Sequence, residues 1–463
     1  MCPLVAFTLS AAWRRSWPTI ITTAHFTAPL SPREDLRNLW TNSPYIWCKT
    51  ITRPLSDALH ICNITGMTSS DILPNAQVRQ HFLDRHQLRK PPLGTRLDQT
   101  LRALNFVQVD SINTLARAHD LILWSRQQSY RPPALRKMVD HSREAFEAWT
   151  HDASILPISA FPHWRHKFIR DAEQVQKRWK AWHRGDFLAQ TETVLEQIAR
   201  HGPLGSGEVG ANEQRGTGGW WDWHPSKTAL EYLWRTGRIT VSRREGFRKL
   251  YDLTENVIPQ DIRNAHPSLD ESRDWACRGA LRALGFATAK ELSEFYDFVT
   301  VAEARAWITC GLKSGALRDI RTEAANGQLR DRVVFTQDWP SLQEPLATSN
   351  RLRILSPFHP ALRNRARAEE IFGFSYRIEV FVPAAQRQYG YYVFPILEGS
   401  ALISRIEIKA NRKKNVIDII GLWPEADVKF TPARMEQLMA ELKRICLLAD
   451  CRDITGLEVL RSI

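Results

Sequence analysis

Ser226-Lys227-Thr228-Ala229-Leu230-Glu231-Tyr232-Leu233-Trp234-Arg235-Thr236-Gly237-Arg238-Ile239-Thr240-Val241 changes texture partway along its length. Residues 226–234 read as a helix that ends at Gly237, and Arg238-Ile239-Thr240-Val241 reads as a strand. Upstream, residues 192–200 are again helical, Gly202-Pro203 breaks the pattern, and a glycine-rich loop runs to Gly219. About eighty residues later the plan returns. Residues 303–312 are helical, Gly315 breaks them, 316–320 are strand-like, Asn326-Gly327 turns the chain and 331–336 run back.

Helix, helix, then helix, glycine, strand, turn and strand is the order of a winged helix, a small core with a β-wing that commonly binds DNA. Residues 73–83 and 95–104 supply two more short helical patterns before an alternating stretch at 106–110. From Arg351 onward alternation prevails, at 376–382, 389–397, 402–409 and 416–421, bounded by Gly, Pro, Asn or Asp. A last helical run at 432–448 presents Met435, Leu438, Met439, Leu442 and Ile445 as an apolar stripe suited to covering that sheet. The expected fold is therefore α+β: tandem winged-helix (helix-turn-helix) units followed by a C-terminal antiparallel β-barrel-like domain. The divisions expected are 67–185, 186–265 and 266–345 for three winged-helix units, the first carrying a helical linker, and 346–463 for the β domain.

Residues 1–66 fit none of these units. They hold Trp13, Trp17, Trp40 and Trp47 without sustained periodicity, and their first acidic residue is Glu34 after Arg14 and Arg15. That composition resembles a transit peptide superficially, but the charge order is wrong for a secretory signal. Met67, followed by Thr68-Ser69-Ser70-Asp71 and a clean helical pattern, is the expected true start, which makes 1–66 a non-native or disordered extension.

The whole chain has 463 residues, 43% apolar and 24% charged, which leaves room for about three domains and excludes a rod, a collagen-like repeat or wholesale disorder. Charged residues interrupt every hydrophobic run before a membrane span is reached. Lys and Arg exceed Asp and Glu by 13, a surplus that favours a polyanionic partner, nucleic acid above all. The seven cysteines form no Cys-x-x-Cys pair, so neither a disulfide framework nor a zinc ribbon is indicated and a reducing cytoplasm is expected. Cys277 and Cys310, among apolar neighbours at helical spacing, read as buried core thiols.

The densest chemistry lies in residues 105–126, where Gln108 and Asp110 stand two apart. In an extended segment that spacing puts both side chains on one face, where a carboxylate takes a proton from water while an amide holds the water. The bland alternative is a half-buried strand with Asp110 capping the helical turn at Ser111-Ile112.

Phe106-Val107-Gln108-Val109-Asp110-Ser111-Ile112-Asn113, followed by Ala116-Arg117-Ala118-His119, resembles the signature of the YcaQ/AlkZ-like winged-helix DNA glycosylases. Thr150-His151-Asp152-Ala153-Ser154-Ile155-Leu156-Pro157 is similar to that family's His-Glu-Ala-Ser-Leu-Leu-Pro block, with Asp152 in place of Glu. Further similar blocks are Gly202-Pro203-Leu204, Trp220-Trp221, 227–230, Arg244-Glu245-Gly246-Phe247, Leu355-Ser356-Pro357-Phe358, Phe372-Gly373-Phe374 and 376–379.

The resemblance implies a concave DNA-binding surface and excision of N-alkylated purines, with Gln108 and Asp110 as the catalytic pair. A Gln-x-Asp pair resembles the branch associated with broad alkyl and interstrand-crosslink substrates. The reaction so implied is monofunctional hydrolysis of the N-glycosidic bond of N7-alkylguanine or N3-alkyladenine in double-stranded DNA. It needs no metal or cofactor, and a monomer is expected. Asp110 would stabilise an oxocarbenium-like sugar and deprotonate water that Gln108 orients.

Arg117, His119, His151, Lys227, Arg243, Arg244, Lys409, Arg412 and Lys413 are the expected DNA contacts, with Arg248, Lys249, Arg405 and Lys414 in the same clusters. Each could instead belong to a solvated face, His151 could satisfy a structural hydrogen bond, and Trp220, Trp221 and Trp223 could pack a core or stack on DNA. Two rival classes stand beside the glycosylase. One is a winged-helix transcriptional regulator without catalysis; the other is a metal nuclease, suggested by Glu407-Ile408-Lys409.

Overall fold

A computed structural model describes residues 71–89, 96–181, 187–210, 224–461 and 463. The expected extension 1–66, the expected start at Met67, and Trp220, Trp221 and Trp223 lie outside the described residues.

The fold is mixed α+β, and its sheets join segments far apart in the chain. β1 (Ile72–Leu73) runs parallel to β7 (Leu317–Glu323), which pairs antiparallel with β8 (Leu329–Phe335). β2 (Val107–Gln108) and β3 (Ala145–Trp149) flank β4 (Ala153–Pro157) in a small antiparallel sheet. β5 (Ile239–Glu245) and β6 (Arg248–Leu253) form a hairpin. The C-terminal sheet has the order β13 (Asp453–Thr455), β12 (Val416–Pro424), β11 (Ala401–Asn411), β10 (Val393–Glu398), β9 (Leu352–Ile354). This curled sheet is a half-barrel: β9 and β13 remain as its edges rather than closing on each other.

Helices precede both hairpins. Thr191–His201 and Pro225–Arg235 come before β5 and β6; Leu269–Leu284, Ala289–Tyr296 and Val301–Lys313 come before β7 and β8. The last three helices start on capping boxes, Ser268 with Glu271, Thr288 with Glu291 and Thr300 with Glu303, each satisfying amides that would otherwise lack partners. The turn of the β5–β6 hairpin is Gly246-Phe247, with φ of 54° and 77°, the double left-handed geometry that matches strand twist. Phe247 has no glycine-like freedom there, so its conformation must be held by contacts.

One core unites the C-terminal sheet with residues 101–155. Val107, Val109, Leu115 and Leu121 pack in the same cluster as Phe394, Ile396, Ile406, Ile408, Ile417 and Ile419, and Leu438, Leu442 and Ile445 of the helix Pro432–Ala449 belong to it too. Burial of this many aliphatic side chains, each contributing roughly 1.5–3 kcal/mol, fixes the segment around Gln108 against a rigid sheet.

Several expectations change on folding. Residues 376–382 form no strand: Tyr376 spends its hydroxyl on the carbonyl of Val393, and Glu379 accepts the amides of Gln388, Tyr389 and Gly390, replacing ladder bonds with local ones. The strand expected from 389 begins only at Val393 for the same reason. Leu73 lies in β1 rather than in the first helix, which is Asn75–Arg85. Cys277 is buried, but Cys310 is exposed, because Val301–Lys313 buries only Ala304. No described helix is long and apolar enough to cross a membrane.

Candidate active site

The helix Leu97–Leu104 stops at Asn105, whose φ of 66° redirects the chain into β2 and whose Nδ2 donates to the carbonyl of Gly279 at 3.2 Å. Gln108 stands opposite Ser154, and the amide of Val109 continues the ladder to the carbonyl of Ala153 at 2.8 Å. Asp110 ends it, because its Oδ1 accepts the amide of Ile112 at 2.7 Å and closes a turn. The following loop is pinned from the C-terminal sheet: the Ala410 amide donates to Thr114 O at 2.8 Å, and Arg412 donates to Asn113 Oδ1 at 3.1 Å and Leu115 O at 2.9 Å. Arg117 completes the brace on Ser111 O at 2.9 Å.

Gln108 and Asp110 are recessed, 5% and 3% exposed, whereas their neighbours His151 and Asp152, in the turn between β3 and β4, are half-buried. Both ends of the Gln108 amide are engaged. Nε2 donates to Asp152 Oδ2 at 3.1 Å, and Oε1 lies 3.2 Å from His151 Nε2. The other Asp152 oxygen accepts the Ala153 amide at 2.8 Å. An amide has two N–H bonds and two lone pairs, so each end of Gln108 keeps one position for a further partner.

The electrostatics bring the two carboxyls close to neutrality in their titration. Burial, with a contribution from the Asp152 charge, pushes Asp110 up to about 7 against the pull of the Ile112 amide and Arg117. Burial likewise raises Asp152 to about 6. His151 is held well below its ordinary range by burial and by the charges of Arg363 and Lys167, so it is a neutral imidazole. A general base works best when its pKa lies near the working pH, and Asp110 meets that condition.

The basic residues fall into two groups. Arg244 is committed to buried Glu147, with Nε and Nη2 at 2.8 and 2.6 Å from its two oxygens, and Lys249 stands 3.6 Å from the same carboxylate. Burial alone would raise Glu147, but these two cations hold it below the usual range. Phe247 is clamped between the guanidinia of Arg117 and Arg244, 3.6 and 4.3 Å from its ring centre, and stacks on His119. Arg405 is also interior, paired with Glu425 and lying over Phe374. Arg243 pairs with Glu245 on the surface; Lys409, Arg412, Lys413 and Lys414 are exposed along and beyond β11; Lys227 sits in the first turn of Pro225–Arg235. Glu407, the anchor of the nuclease alternative, accepts the amides of Tyr391 and Tyr392 at 2.8 and 3.3 Å and has a backbone role.

Sequence reasoning assigned no role to Asp152 or Arg363. Asp152 had a signal, its place beside His151 in a recognisable block. Arg363 had none: its Nη1 reaches His151 Nδ1 at 2.9 Å across 212 residues of chain.

A family model described as DNA glycosylase AlkZ-like matches residues 101–446. The DNA glycosylase AlkZ of Streptomyces sahachiroi has a similar structure, with a TM-score of 0.58 at 15% identity, covering 82% of this chain and 99% of that one. The matched span contains the recessed Gln108 and Asp110, the neighbouring His151 and Asp152, and the end of β11 that braces their loop, and this chain belongs to the AlkZ-like family of DNA glycosylases.

Proposed function

We propose that this DNA glycosylase hydrolyses the N-glycosidic bond of N7-alkylguanine and N3-alkyladenine in double-stranded DNA, acting as a monomer and without a metal or cofactor. The observation that carries the reading is one buried carboxyl, Asp110, raised to about 7 beside an amide held from both sides. Alkylation at N7 or N3 makes the purine a cation that departs as a neutral base. The barrier then lies in the developing positive charge on the sugar, which one anionic carboxylate stabilises. Asp110 supplies that charge and accepts a proton from water; Gln108 offers its remaining N–H or lone pair to place the water.

Among the described residues, the two lysines whose charges reach the constellation are otherwise engaged. Lys167 pairs with Asp171 and Asp297, and Lys249 lies over Trp234 beside Glu147. These engagements support hydrolysis without strand cleavage, since neither lysine is free to form an imine with the sugar. The paired helix-and-hairpin units support the winged-helix reading of 186–265 and 266–345, and the exposed cations of β11 and β5 support phosphate contacts by Arg243, Lys409, Arg412 and Lys413, with Lys227, Arg117, His119, His151 and Arg244 nearer the protein interior. The Gln-x-Asp pair extends the proposal to crosslinked guanines.

The test is incubation of one methylated and one crosslinked duplex with the protein in EDTA, with and without alkali. Base release with strand breaks only after alkali is expected, along with separation of the crosslinked strands. Cleavage before alkali, or loss of activity in EDTA, contradicts the assignment.

A further inference from the structure

The hydrogen bonds around His151 form a directional chain from Arg363 through His151 and Gln108 to Asp152. Arg363 Nη1 donates to the carbonyl of Phe295 at 2.9 Å and meets His151 Nδ1 at 2.9 Å. A guanidinium has donors only, so Nδ1 accepts, and a neutral imidazole that accepts at Nδ1 carries its proton on Nε2. That proton points at Gln108 Oε1, 3.2 Å away. The amide nitrogen of Gln108 therefore faces Asp152, where Nε2 meets Oδ2 at 3.1 Å.

We propose that Arg363 is a positioning residue for base excision: by donating to Nδ1 it selects the Nε2–H tautomer of His151, and through it the direction in which Gln108 presents its amide. The inference rests on the reading of Gln108 as the group that places water. Asp152 orients the same amide only while ionised, because a protonated carboxyl can donate to the amide oxygen instead. Arg363 remains charged, pulled down by burial only to about 10, so its half of the lock holds across the neutral range.

The site is built to keep Arg363 in place. Its guanidinium lies over Phe106 and Phe295, 5.0 and 5.3 Å from their ring centres, at the C-terminal end of the short helix Pro360–Arg363. The groups that face His151 are Arg363, the charge of Lys167, the Gln108 amide, the Thr150 hydroxyl at 3.1 Å from Nδ1, and the Phe106 ring. Without Arg363, Thr150 Oγ1 can accept as well as donate, so an Nδ1–H tautomer becomes available and turns a lone pair of His151 toward the Gln108 oxygen.

Nitrogen-15 spectra of histidine-labelled full-length protein read the tautomer directly. Wild type should show neutral His151 protonated at Nε2 at neutral pH, and Arg363→Lys, which keeps a donor, should resemble it. Arg363→Met should shift His151 toward Nδ1–H and slow single-turnover release of 7-methylguanine from a methylated duplex by about tenfold, with DNA affinity within about twofold. An Nδ1–H or imidazolium state in wild type overturns the proposal without any variant. A slower Arg363→Met enzyme with an unchanged tautomer, or a changed tautomer with an unchanged rate, overturns it too. If instead Gln108→Ala leaves the rate intact while the tautomer behaves as stated, the water-placing role of Gln108 is what fails.

Discussion

Asp152 Oδ2 accepts a hydrogen bond from Gln108 Nε2 at 3.1 Å, and its charge is also one of the influences that raise Asp110, so one amide side chain stands among two carboxyls of similar acidity. The rate of base release should rise with pH as the pair ionises, through a midpoint near 7. Asp152→Asn keeps an oxygen for the amide of Gln108 but removes a neighbouring negative charge. Its pH–rate midpoint should fall by ~0.5–1 unit, because a like charge raises a carboxyl pKa and its removal lowers it. A midpoint that stays or rises in the variant contradicts this electrostatic account.

The raised pKa of Asp110 has a consequence for stability. A carboxyl whose folded pKa exceeds its unfolded value stabilises the fold fully below the unfolded value and loses that contribution as pH rises through the folded one. The window here is about 4 to 7. Asp110→Asn should thus unfold at higher temperature than wild type at pH 8, by up to ~4 kcal/mol of stability, with the gap closing as pH falls toward 4. Thermal melts of both proteins across that range supply the check; equal melting at pH 8 counts against a raised Asp110.

Adjacent arginines should behave differently. Arg244 pairs with a buried carboxylate and clamps Phe247, so Arg244→Ala should destabilise the protein by about 3 kcal/mol, the low end for a broken buried pair because Lys249 remains 3.6 Å from Glu147. Arg243→Ala, at the surface, should leave stability within about 0.5 kcal/mol and weaken DNA binding instead. Urea unfolding and DNA titration of each variant separate the two; equal destabilisation contradicts the distinction.

The helix and strand order of 186–345 was legible in the sequence because glycines at 202, 237 and 315 and the Asn326-Gly327 turn punctuate it. Gln108 and Asp110 stood out as a candidate pair through a local motif that resembles the family signature; spacing alone left them open, and β2 ends at Gln108, with Asp110 in the turn that follows. The 375–391 loop was not, because the side chain of Glu379 replaces the ladder that alternation predicts, and no period records that substitution. Arg405 looked like part of an exposed cationic turn but is interior, because Glu425 and two aromatic rings receive it. Arg363 was invisible for a related reason: its partners come from other parts of the chain, and only folding brings them together.

Lys413 and Lys414, exposed beyond β11, should contribute to affinity without touching chemistry. Replacing both with alanine should reduce the slope of log affinity against log salt by up to ~1.8, roughly 0.9 per lost phosphate contact, while the rate at saturating protein stays within about twofold. An unchanged slope places DNA elsewhere.

The most direct measurement is single-turnover release of 7-methylguanine from a methylated duplex by Asp110→Asn, alongside its DNA affinity. The variant keeps the Ile112 hydrogen bond but carries no charge, so the rate should fall by at least ~10³-fold with affinity within about threefold. Release at near wild-type rate would show that the sugar cation is stabilised by something other than Asp110.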